Sequence, residues 1–159
     1  MRIGVISDTH VSHIAELPRQ LVDTLRQMDM IIHLGDFTSP QLVEDLRRLG
    51  RFRGVRGNMD LPFLWLMLPE MDILEVGSKK IGLIHGWGAP TGLEDRVRER
   101  FDKMDAILYG HSHVPKSEVK DGTLLFNPGS ATGVFPAPYK SYGILTIDED
   151  IEAEIVRLE

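Results

Sequence analysis

Eight short apolar runs, rich in β-branched residues and separated by turn-forming residues, recur along the chain. Runs of this length and composition are typical of buried strands. The predicted strands cover residues 2–7, 30–34, 52–55, 80–85, 106–109, 124–126, 143–147 and 152–156. This number of buried strands limits the chain to folds that are built around one or two sheets.

Helical patterns lie between the early strands. They cover residues 16–28, 40–49 and 92–101, and Ser39 and Gly50 provide the N-terminal cap and the C-terminal stop of the second one. Alternating strands and helices in the first half indicate βαβ units with a largely parallel sheet, whereas the second half is rich in strands. The chain is therefore predicted to be an α/β protein, and a sandwich of two sheets fits better than a simple doubly wound fold.

A single domain over residues 1–159 is expected, since no repeat or linker interrupts the chain and its 42% apolar and 26% charged residues are ordinary globular composition. The formal net charge of −6 disfavours a broad nucleic-acid-binding surface. Because cysteine is absent, any metal must be bound by His, Asp, Glu or Asn. The N-terminal apolar run is too short for a signal peptide, and no later stretch is long enough for a membrane span, which predicts a cytoplasmic protein without a membrane partner.

Polar residues of metal-binding type follow five of the predicted strands. Because the carboxyl ends of parallel strands meet at one edge of a sheet, these side chains can converge on one site. Each motif alone is weak, since an Asp or Asn after a strand is more often part of a simple turn. The candidates are Asp8, His10, Asp36, Asn58, His85, His111 and His113.

The order of these motifs, DxH, GD, GNxD, HG and GHxH, resembles that of the metallophosphoesterase (calcineurin-like) family. The segments VISDTH, IIHLGD, VRGNMD, LIHG, ILYGHSHVP and NPGS carry the resemblance from Val5 to Ser130. The chain is most similar to the compact YfcE-like phosphodiesterase branch, which is related in fold to the eukaryotic retromer subunit. The resemblance implies a four-layer α/β/β/α sandwich of two mixed sheets and a site for two metal ions.

The resemblance divides the candidates into two sets around Asp36, whose carboxylate would bridge the two ions. The first ion would be bound by Asp8, His10 and His113. The second would be bound by Asn58, His85 and His111. The residues predicted to act most directly in catalysis are Asp36, Asn58 and His85.

The mixed oxygen and imidazole ligands suit Mn²⁺, Ni²⁺, Zn²⁺, Fe²⁺ or Co²⁺ better than Ca²⁺ or Mg²⁺, and two ions per chain are expected, with Mn²⁺ as the first candidate. Two cations about 3.5 to 4 Å apart need an anionic bridge. The predicted reaction is in-line attack on phosphorus by a hydroxide that the two metals activate. The expected substrate is a small phosphate ester.

A phosphodiesterase is the leading prediction for the function. A phosphomonoesterase acting on a nucleotide or a small metabolite is an alternative with the same chemistry. A protein-interaction scaffold of the retromer-subunit type is an alternative of another class, and the competent residues at all seven ligand positions argue against it.

Three further polar residues lie near these motifs. His33 is predicted to be a partly buried, hydrogen-bonded structural histidine, with a metal ligand as the alternative. His13 is predicted to be a surface-loop residue, with contact to a substrate phosphate as the alternative. Asp60 either accepts a hydrogen bond that orients a metal ligand or its neighbouring backbone, or only stabilises its own turn. Many relatives have a histidine after the GN asparagine that assists the leaving group, whereas this chain has Met59 there, so the leaving-group acid is unassigned.

Residues 61–71, LPFLWLMLPEM, are apolar almost throughout, and residues 135–139, FPAPY, repeat the pattern on a smaller scale. The longer segment is too short to span a membrane. It either packs under the core or forms an apolar surface patch, and large exposed patches are uncommon on soluble monomers. A homo-oligomer, either a dimer or a tetramer, is therefore expected.

Overall fold

Ten strands form two five-stranded sheets in the computed structural model, which describes residues 1–159. In chain order they are β1 (Arg2–Ile6), β2 (Met30–His33), β3 (Phe52–Gly54), β4 (Met71–Val76), β5 (Lys79–Ile84), β6 (Ala106–Leu108), β7 (Lys116–Lys120), β8 (Thr123–Asn127), β9 (Ser141–Ile147) and β10 (Ile151–Arg157). The first sheet has the order β10-β9-β1-β2-β3 and the second the order β4-β5-β6-β8-β7. Each sheet is mixed, with β1, β2 and β3 parallel in the first and β5, β6 and β8 parallel in the second.

All eight predicted strands are confirmed to within two residues at either end. Strands β4 and β7 are not predicted from the sequence, and both are edge strands of the second sheet. The sequence of β7, KSEVK, is mostly charged, which suits an edge because charge discourages pairing with another chain. The same charge removes the apolar alternation by which a strand is recognised.

Helices cover the outer faces of both sheets. They are α1 (Arg19–Leu25), α2 (Pro40–Leu49), α3 (Pro62–Met67) and α4 (Leu93–Arg98), and a short 3₁₀ turn (Ile14–Glu16) precedes α1. One buried apolar cluster lies between the sheets, a second joins α1, α2 and α3 to the first sheet, and a third joins α4 to the second sheet. The predicted four-layer α/β/β/α sandwich of two mixed sheets is thereby confirmed.

Only α2 begins and ends at the predicted residues. The helix predicted over residues 16–28 is wrong in extent, because Leu17 is extended (ψ 149°), as a residue before proline prefers, and α1 begins only after Pro18. The helix predicted over residues 92–101 is also shorter. Its first residue, Gly92, is a left-handed N-cap (φ 75°), and beyond α4 the chain continues with i→i−3 bonds.

The apolar segment 61–71 contains α3, which the sequence does not predict. Leu64 and Leu68 are buried against the first sheet, whereas Phe63 is 72% exposed and Leu66 is 90% exposed. Both alternatives predicted for this segment therefore occur, since one face packs under the core and the other forms an apolar surface patch. None of the four α-helices is long and apolar enough to cross a membrane.

Candidate metal centre

All seven candidate side chains lie in segments that leave the carboxyl ends of the parallel strands β1, β2, β3, β5 and β6. The Asp8 N–H donates a hydrogen bond to Gly35 O at 3.0 Å, which joins the segments after β1 and β2. In the second sheet, the Gly110 N–H donates to His85 O at 3.0 Å. These segments of both sheets meet at one place, so ligands distant in sequence can share one site.

Four candidate side chains form the inner part of the centre. One ligand atom from each of Asp8, His10, Asp36 and His113 lies within 4.8 Å of the other three. Asp8, Asp36 and His113 are buried, and His10 is half-buried. Two carboxylates and two imidazoles at this spacing have the residue types of a transition-metal site. We refer to Asp8, His10 and His113 as the inner set.

One oxygen of the buried Asp8 carboxylate has no hydrogen-bond partner. Its Oδ2 accepts from the Ser7 hydroxyl at 2.7 Å and from the His111 N–H at 3.1 Å. Its Oδ1 makes no hydrogen bond, although His113 Nε2 lies 3.3 Å away. An unpaired buried carboxylate oxygen is costly, and a divalent cation would satisfy it. The inner set therefore fits a bound metal ion.

The Asp36 carboxylate lies between two groups of ligands. Its Oδ2 is 3.5 Å from His10 Nε2 and 3.4 Å from His85 Nε2. Its Oδ1 accepts a hydrogen bond from the Met59 N–H at 2.8 Å, which fixes the orientation of the carboxylate. Burial alone would raise the pKa of Asp36, but His85 and the Met59 N–H hold that pKa below its usual range. Asp36 is therefore ionised at neutral pH.

Asn58, His85 and His111 form the outer set on the other side of Asp36. Asn58 Oδ1 lies 2.9 Å from His85 Nε2 and 3.1 Å from His111 Nδ1. Asn58 is exposed and His111 half-exposed, whereas His85 is buried. These atoms and Asp36 Oδ2 can hold a second cation. The outer set has no carboxylate of its own.

Backbone carbonyls orient three of the four imidazoles. A carbonyl oxygen only accepts hydrogen bonds, so the ring nitrogen that faces it carries the proton and the other ring nitrogen is left as a potential metal ligand. This arrangement fixes both the tautomer and the direction of each ring. The three pairs are His85 Nδ1 with Leu34 O at 2.6 Å, His113 Nδ1 with Val134 O at 2.9 Å, and His111 Nε2 with Gly88 O at 2.8 Å.

The backbone at most of the candidate residues is in the left-handed region. This conformation is costly for residues other than glycine, and it persists at functional sites where the surroundings fix it. Its concentration here supports a functional role on grounds separate from residue type. The candidates with positive φ, between 49° and 70°, are Asp8, His10, Asp36, His111 and His113.

Two positions in the sequence motifs require glycine because other side chains approach the backbone closely there. A Cβ at Gly57 would overlap Asp36 Oδ1. A Cβ at Gly110 would overlap the Ser7 hydroxyl and would lie 2.8 Å from Asp8 Oδ2. Neither glycine has a positive φ, so lack of space, and not backbone conformation, excludes a side chain at these positions. The glycines therefore keep the two carboxylates in place.

Asp60 connects the segment after β2 with the segment after β3. Its buried carboxylate accepts four backbone N–H groups at 2.7 to 3.0 Å, from Asp36, Phe37, Thr38 and Gly57. Burial raises the pKa of Asp60, although these donors oppose the rise. Asp60 thus both forms its own turn and holds the segment that carries Asp36.

Carboxylates of the centre favour the protonated forms of two histidines. Burial opposes protonation of His85, but its pairing with Asp36 and Asp8 outweighs burial and raises the pKa of His85 to about 9. The Asp8 carboxylate also raises the pKa of His113. A cation and a proton therefore compete for these ring nitrogens.

Two further histidines lie outside the centre. His33 is buried, accepts at Nδ1 from the Gly35 N–H (3.1 Å) and has its Nε2 3.0 Å from the Thr9 hydroxyl. Burial lowers the pKa of His33 well below its usual value, in agreement with the structural histidine predicted. His13 is exposed, its N–H donates to Glu16 at 2.9 Å, and it makes no hydrogen bond or ion pair with any of the seven candidates.

Two buried residues of the NPGS motif, neither of them a candidate ligand, position the ligand segments. The Asn127 side-chain amide donates to Gly110 O at 2.9 Å and to the Ser112 hydroxyl at 3.0 Å. The Ser130 hydroxyl donates to Asp8 O at 2.7 Å. Both belong to the NPGS segment at the end of β8. Because β8 is another parallel strand, the rule that identifies the ligands also applies to this segment.

A cleft of about 210 Å³ opens beside the outer set. Asn58 and His85 line it together with the indole side chains of Trp65 and Trp87. The largest surface depression, about 550 Å³, lies elsewhere, around Arg98, and contains none of the seven candidates. The cleft beside the outer set is therefore the one that can receive part of a substrate.

Residues 1–150 match the calcineurin-like phosphoesterase superfamily domain. The chain is 39% identical, over 163 residues, to a probable metallophosphoesterase of Methanocaldococcus jannaschii, and the match covers 100% of this chain and 82% of that protein. The shared region therefore includes every candidate residue of the centre.

Solved structures share the fold. The chain matches the solution NMR structure of a Thermotoga maritima protein with a TM-score of 0.75 and 36% identity over 99% of both chains. It matches Vps29 of Entamoeba histolytica complexed with Zn²⁺ (TM-score 0.75, 27% identity, 99% of both chains) and an archaeal phosphodiesterase (TM-score 0.79, 25% identity, 99% of this chain and 100% of that one). Motif order, fold and these similarities agree, and the chain belongs to the calcineurin-like phosphoesterase superfamily.

Proposed function

We propose that this protein is a metal-dependent phosphodiesterase that binds two divalent transition-metal ions, one at each ligand set. The observation that carries the proposal is the position of Asp36 Oδ2, which is 3.5 Å from His10 Nε2 and 3.4 Å from His85 Nε2. One carboxylate shared by ligands of both sets is what two adjacent cations require. Membership of the superfamily supports hydrolysis of a phosphate ester as the reaction.

Each residue of the centre has a proposed role. Asp8, His10 and His113 would hold the first ion, Asn58, His85 and His111 the second, and Asp36 would bridge them. When bound, such ions lower the pKa of water and neutralise the charge that develops during in-line displacement. Asn58 and His85 also line the adjoining cleft, where the ester would bind. The mixed oxygen and nitrogen donors suit Mn²⁺ first, and also Ni²⁺, Zn²⁺, Fe²⁺ or Co²⁺.

Local charge favours a diester over a monoester. No Lys or Arg makes an ion pair or a hydrogen bond with any of the seven candidates, and Glu70, at 3.8 Å, offsets the charge of Arg56, which lines the cleft. A monoester carries a charge of about −1.5 to −2 at neutral pH, whereas a diester carries a single negative charge. No Lys or Arg side chain pairs with the centre to match the additional charge of a monoester. The fold shared with an archaeal phosphodiesterase supports the same choice.

The test compares bis(4-nitrophenyl) phosphate with 4-nitrophenyl phosphate at several Mn²⁺ concentrations. We expect a higher kcat/KM for the diester, loss of turnover on treatment with a chelator, and recovery when Mn²⁺ is returned. A higher kcat/KM for the monoester would favour the phosphomonoesterase alternative. Absence of turnover of both esters with each of the five metals would contradict the enzymatic proposal.

A protein-interaction scaffold is the second candidate, because the chain shares its fold with Vps29. That Vps29 structure is a complex with Zn²⁺, so metal binding alone does not separate the two candidates. Turnover of the aryl diester does, since a scaffold requires no hydrolysis. The oriented imidazoles and the shared position of Asp36 support the enzyme.

We also propose that the exposed face of α3 mediates self-association into a dimer or tetramer. Phe63 and Leu66 project from this face into solvent, and large apolar patches are uncommon on soluble monomers. Light scattering should find an oligomer for the native protein and a monomer for Leu66→Glu. A native protein that is monomeric at all concentrations would contradict the proposal.

A further inference from the structure

The cleft beside the outer set is lined by both tryptophans of the chain. Trp65, on α3, is 56% exposed, and Trp87, in the loop after β5, is 39% exposed. Asn58 and His85 line the same cleft, so it begins at the metal centre. An aromatic cleft therefore adjoins the position at which we propose that the ester binds.

Charged groups accompany the two indoles. The Arg56 guanidinium lies 5.6 Å from the ring centroid of Trp65, and the Arg100 guanidinium lies 5.4 Å from that of Trp87. Glu70 pairs with both arginines, at 3.8 Å and 3.2 Å. Arg56 and Glu70 also line the cleft, and they offer donors and an acceptor beside its aromatic surfaces.

Nucleobases stack on aromatic rings and on arginine planes, and their polar edges need donors and acceptors. The cleft supplies all of these groups. Its volume of about 210 Å³ is below the roughly 300 to 1,000 Å³ of sites for drug-sized ligands, so it suits one ring system and not a whole dinucleotide. We propose that it binds a nucleobase of the substrate and that the enzyme acts on nucleotide-containing phosphodiesters. This inference rests on the proposed function for its catalytic step.

Intrinsic fluorescence can test the cleft directly, because both tryptophans of the chain line it. Titration of the metal-loaded protein with adenosine 5′-monophosphate should change the fluorescence. Ribose 5-phosphate, which has the phosphate and the sugar without the base, should change it much less. Equal responses to the two ligands, or no response to the nucleotide at millimolar concentration, would overturn the inference. This titration requires no turnover.

Trp87→Leu and Trp87→Phe form a matched pair of variants. The backbone carbonyl of Trp87, and not its ring, accepts a hydrogen bond from Arg96 at 2.8 Å, so the loop keeps this contact in both variants. We expect Leu to weaken nucleotide binding by about tenfold and Phe to retain most of it, because stacking needs an aromatic face. Trp65 is not substituted, because its Nε1–H donates a hydrogen bond to Asp60 O at 3.1 Å that a substitution would remove. It therefore remains as the fluorescent reporter. Val119→Ala, at an exposed apolar position of β7, is the control.

Kinetics provide the second test and separate the two proposals. Thymidine 5′-(4-nitrophenyl phosphate) and methyl 4-nitrophenyl phosphate share a leaving group, and the second ester has a methyl group in place of the nucleoside. Trp87→Leu should raise KM for the thymidine ester by about tenfold relative to KM for the methyl ester. If neither ester is hydrolysed but the nucleotide still changes the fluorescence, the phosphodiesterase proposal is wrong and the proposal of nucleobase binding in the cleft is supported. If both esters are hydrolysed with equal KM and Trp87→Leu changes neither KM, the proposal of nucleobase binding in the cleft is wrong and the phosphodiesterase proposal is supported.

Discussion

The inner and outer ligand sets differ in charge and in exposure. The inner set contains the buried Asp8 carboxylate, whose Oδ1 has no hydrogen-bond partner, and the buried His113. The outer set has the neutral amide of Asn58 as its oxygen ligand, and Asn58 is exposed. Each set has two imidazoles, one of them buried, and the sets differ in the charge and exposure of the oxygen ligand that they do not share.

This difference predicts unequal affinities. A cation at the inner set would be attracted by the full charge of Asp8 in a buried site, where solvent and salt screen little. A cation at the outer set would depend on the charge of Asp36 and would lie next to the open cleft. We therefore expect the inner ion to be held tightly and the outer ion to exchange, with the substrate approaching from the outer side.

Loss of the shared carboxylate should have the largest effect. Asp36→Asn keeps the size of the side chain but removes the charge on which both sets depend. We expect kcat/KM for the aryl diester to fall on the order of 10³-fold, and metal content to fall from about two ions per chain towards one. Steady-state kinetics and elemental analysis measure both, with the surface variant Asp102→Asn as the control for one lost charge. Near-normal turnover and metal content would show that Asp36 is not the bridge.

Alanine substitutions in the two sets should have unequal effects on metal retention. His111→Ala removes an outer ligand and should leave about one ion per chain after dialysis against a chelator, as in the native protein. His113→Ala removes an inner ligand and should retain less than one ion, with affinity lower by about 10- to 100-fold. The measurement is metal content per chain after matched dialysis. The opposite ranking would reverse the assignment of the tighter set.

Metal affinity should rise with pH, because protons occupy the ligands. The pKa of His85 is raised to about 9 and that of His113 is also raised, so a metal must displace protons near neutrality. Affinity should increase about tenfold per pH unit for each proton released. The stability of the metal-free protein should change with pH in the opposite direction. The His85 and Asp36 pair contributes fully to the free energy of unfolding below about pH 6.5, and this contribution is lost as pH rises through about 9. Calorimetry in buffers of different ionisation enthalpy counts the protons, and none released near neutral pH would contradict the expectation.

The strands could be predicted from the sequence because burial leaves a direct pattern in it. All eight predicted strands occur, including the edge strand β10, in which apolar and charged residues alternate, whereas the unpredicted edge strands β4 and β7 lack that alternation. Helix α3 escaped prediction because its exposed residues, such as Leu66, are as apolar as its buried ones. Pro18 explains the late start of α1, and this signal was present in the sequence.

The members of the centre could also be predicted, because ligand-type residues at the ends of parallel strands must lie near one edge. Their mutual distances could not. The position of Asp36 Oδ2 between His10 and His85 depends on how the two sheets face each other, which no local pattern records. The shared cleft of Trp65 and Trp87 likewise depends on α3 of one layer lying beside a loop of the other sheet.

The smallest expected effect concerns the exposed side of the centre, at position 59. Met59 follows Asn58 of the outer set and is 57% exposed, and its backbone N–H donates to Asp36 Oδ1 at 2.8 Å. With no acid at this position, rates of the native protein should fall steeply as the leaving-group pKa rises. Aryl oxides depart without a proton, whereas alkoxides require one.

Met59→His should therefore raise the rate for alkyl diesters on the order of tenfold, well short of the roughly 10²- to 10⁴-fold of an optimised general acid, and leave aryl diesters unchanged. Met59→Leu is the matched control, because it keeps the apolar side chain and the backbone N–H. The measurement is kcat/KM across aryl and alkyl diesters of graded leaving-group pKa. His13→Ala should have no effect, since His13 makes no hydrogen bond or ion pair with the candidates. A shallow dependence in the native protein that becomes steep in His13→Ala would instead identify His13 as the acid.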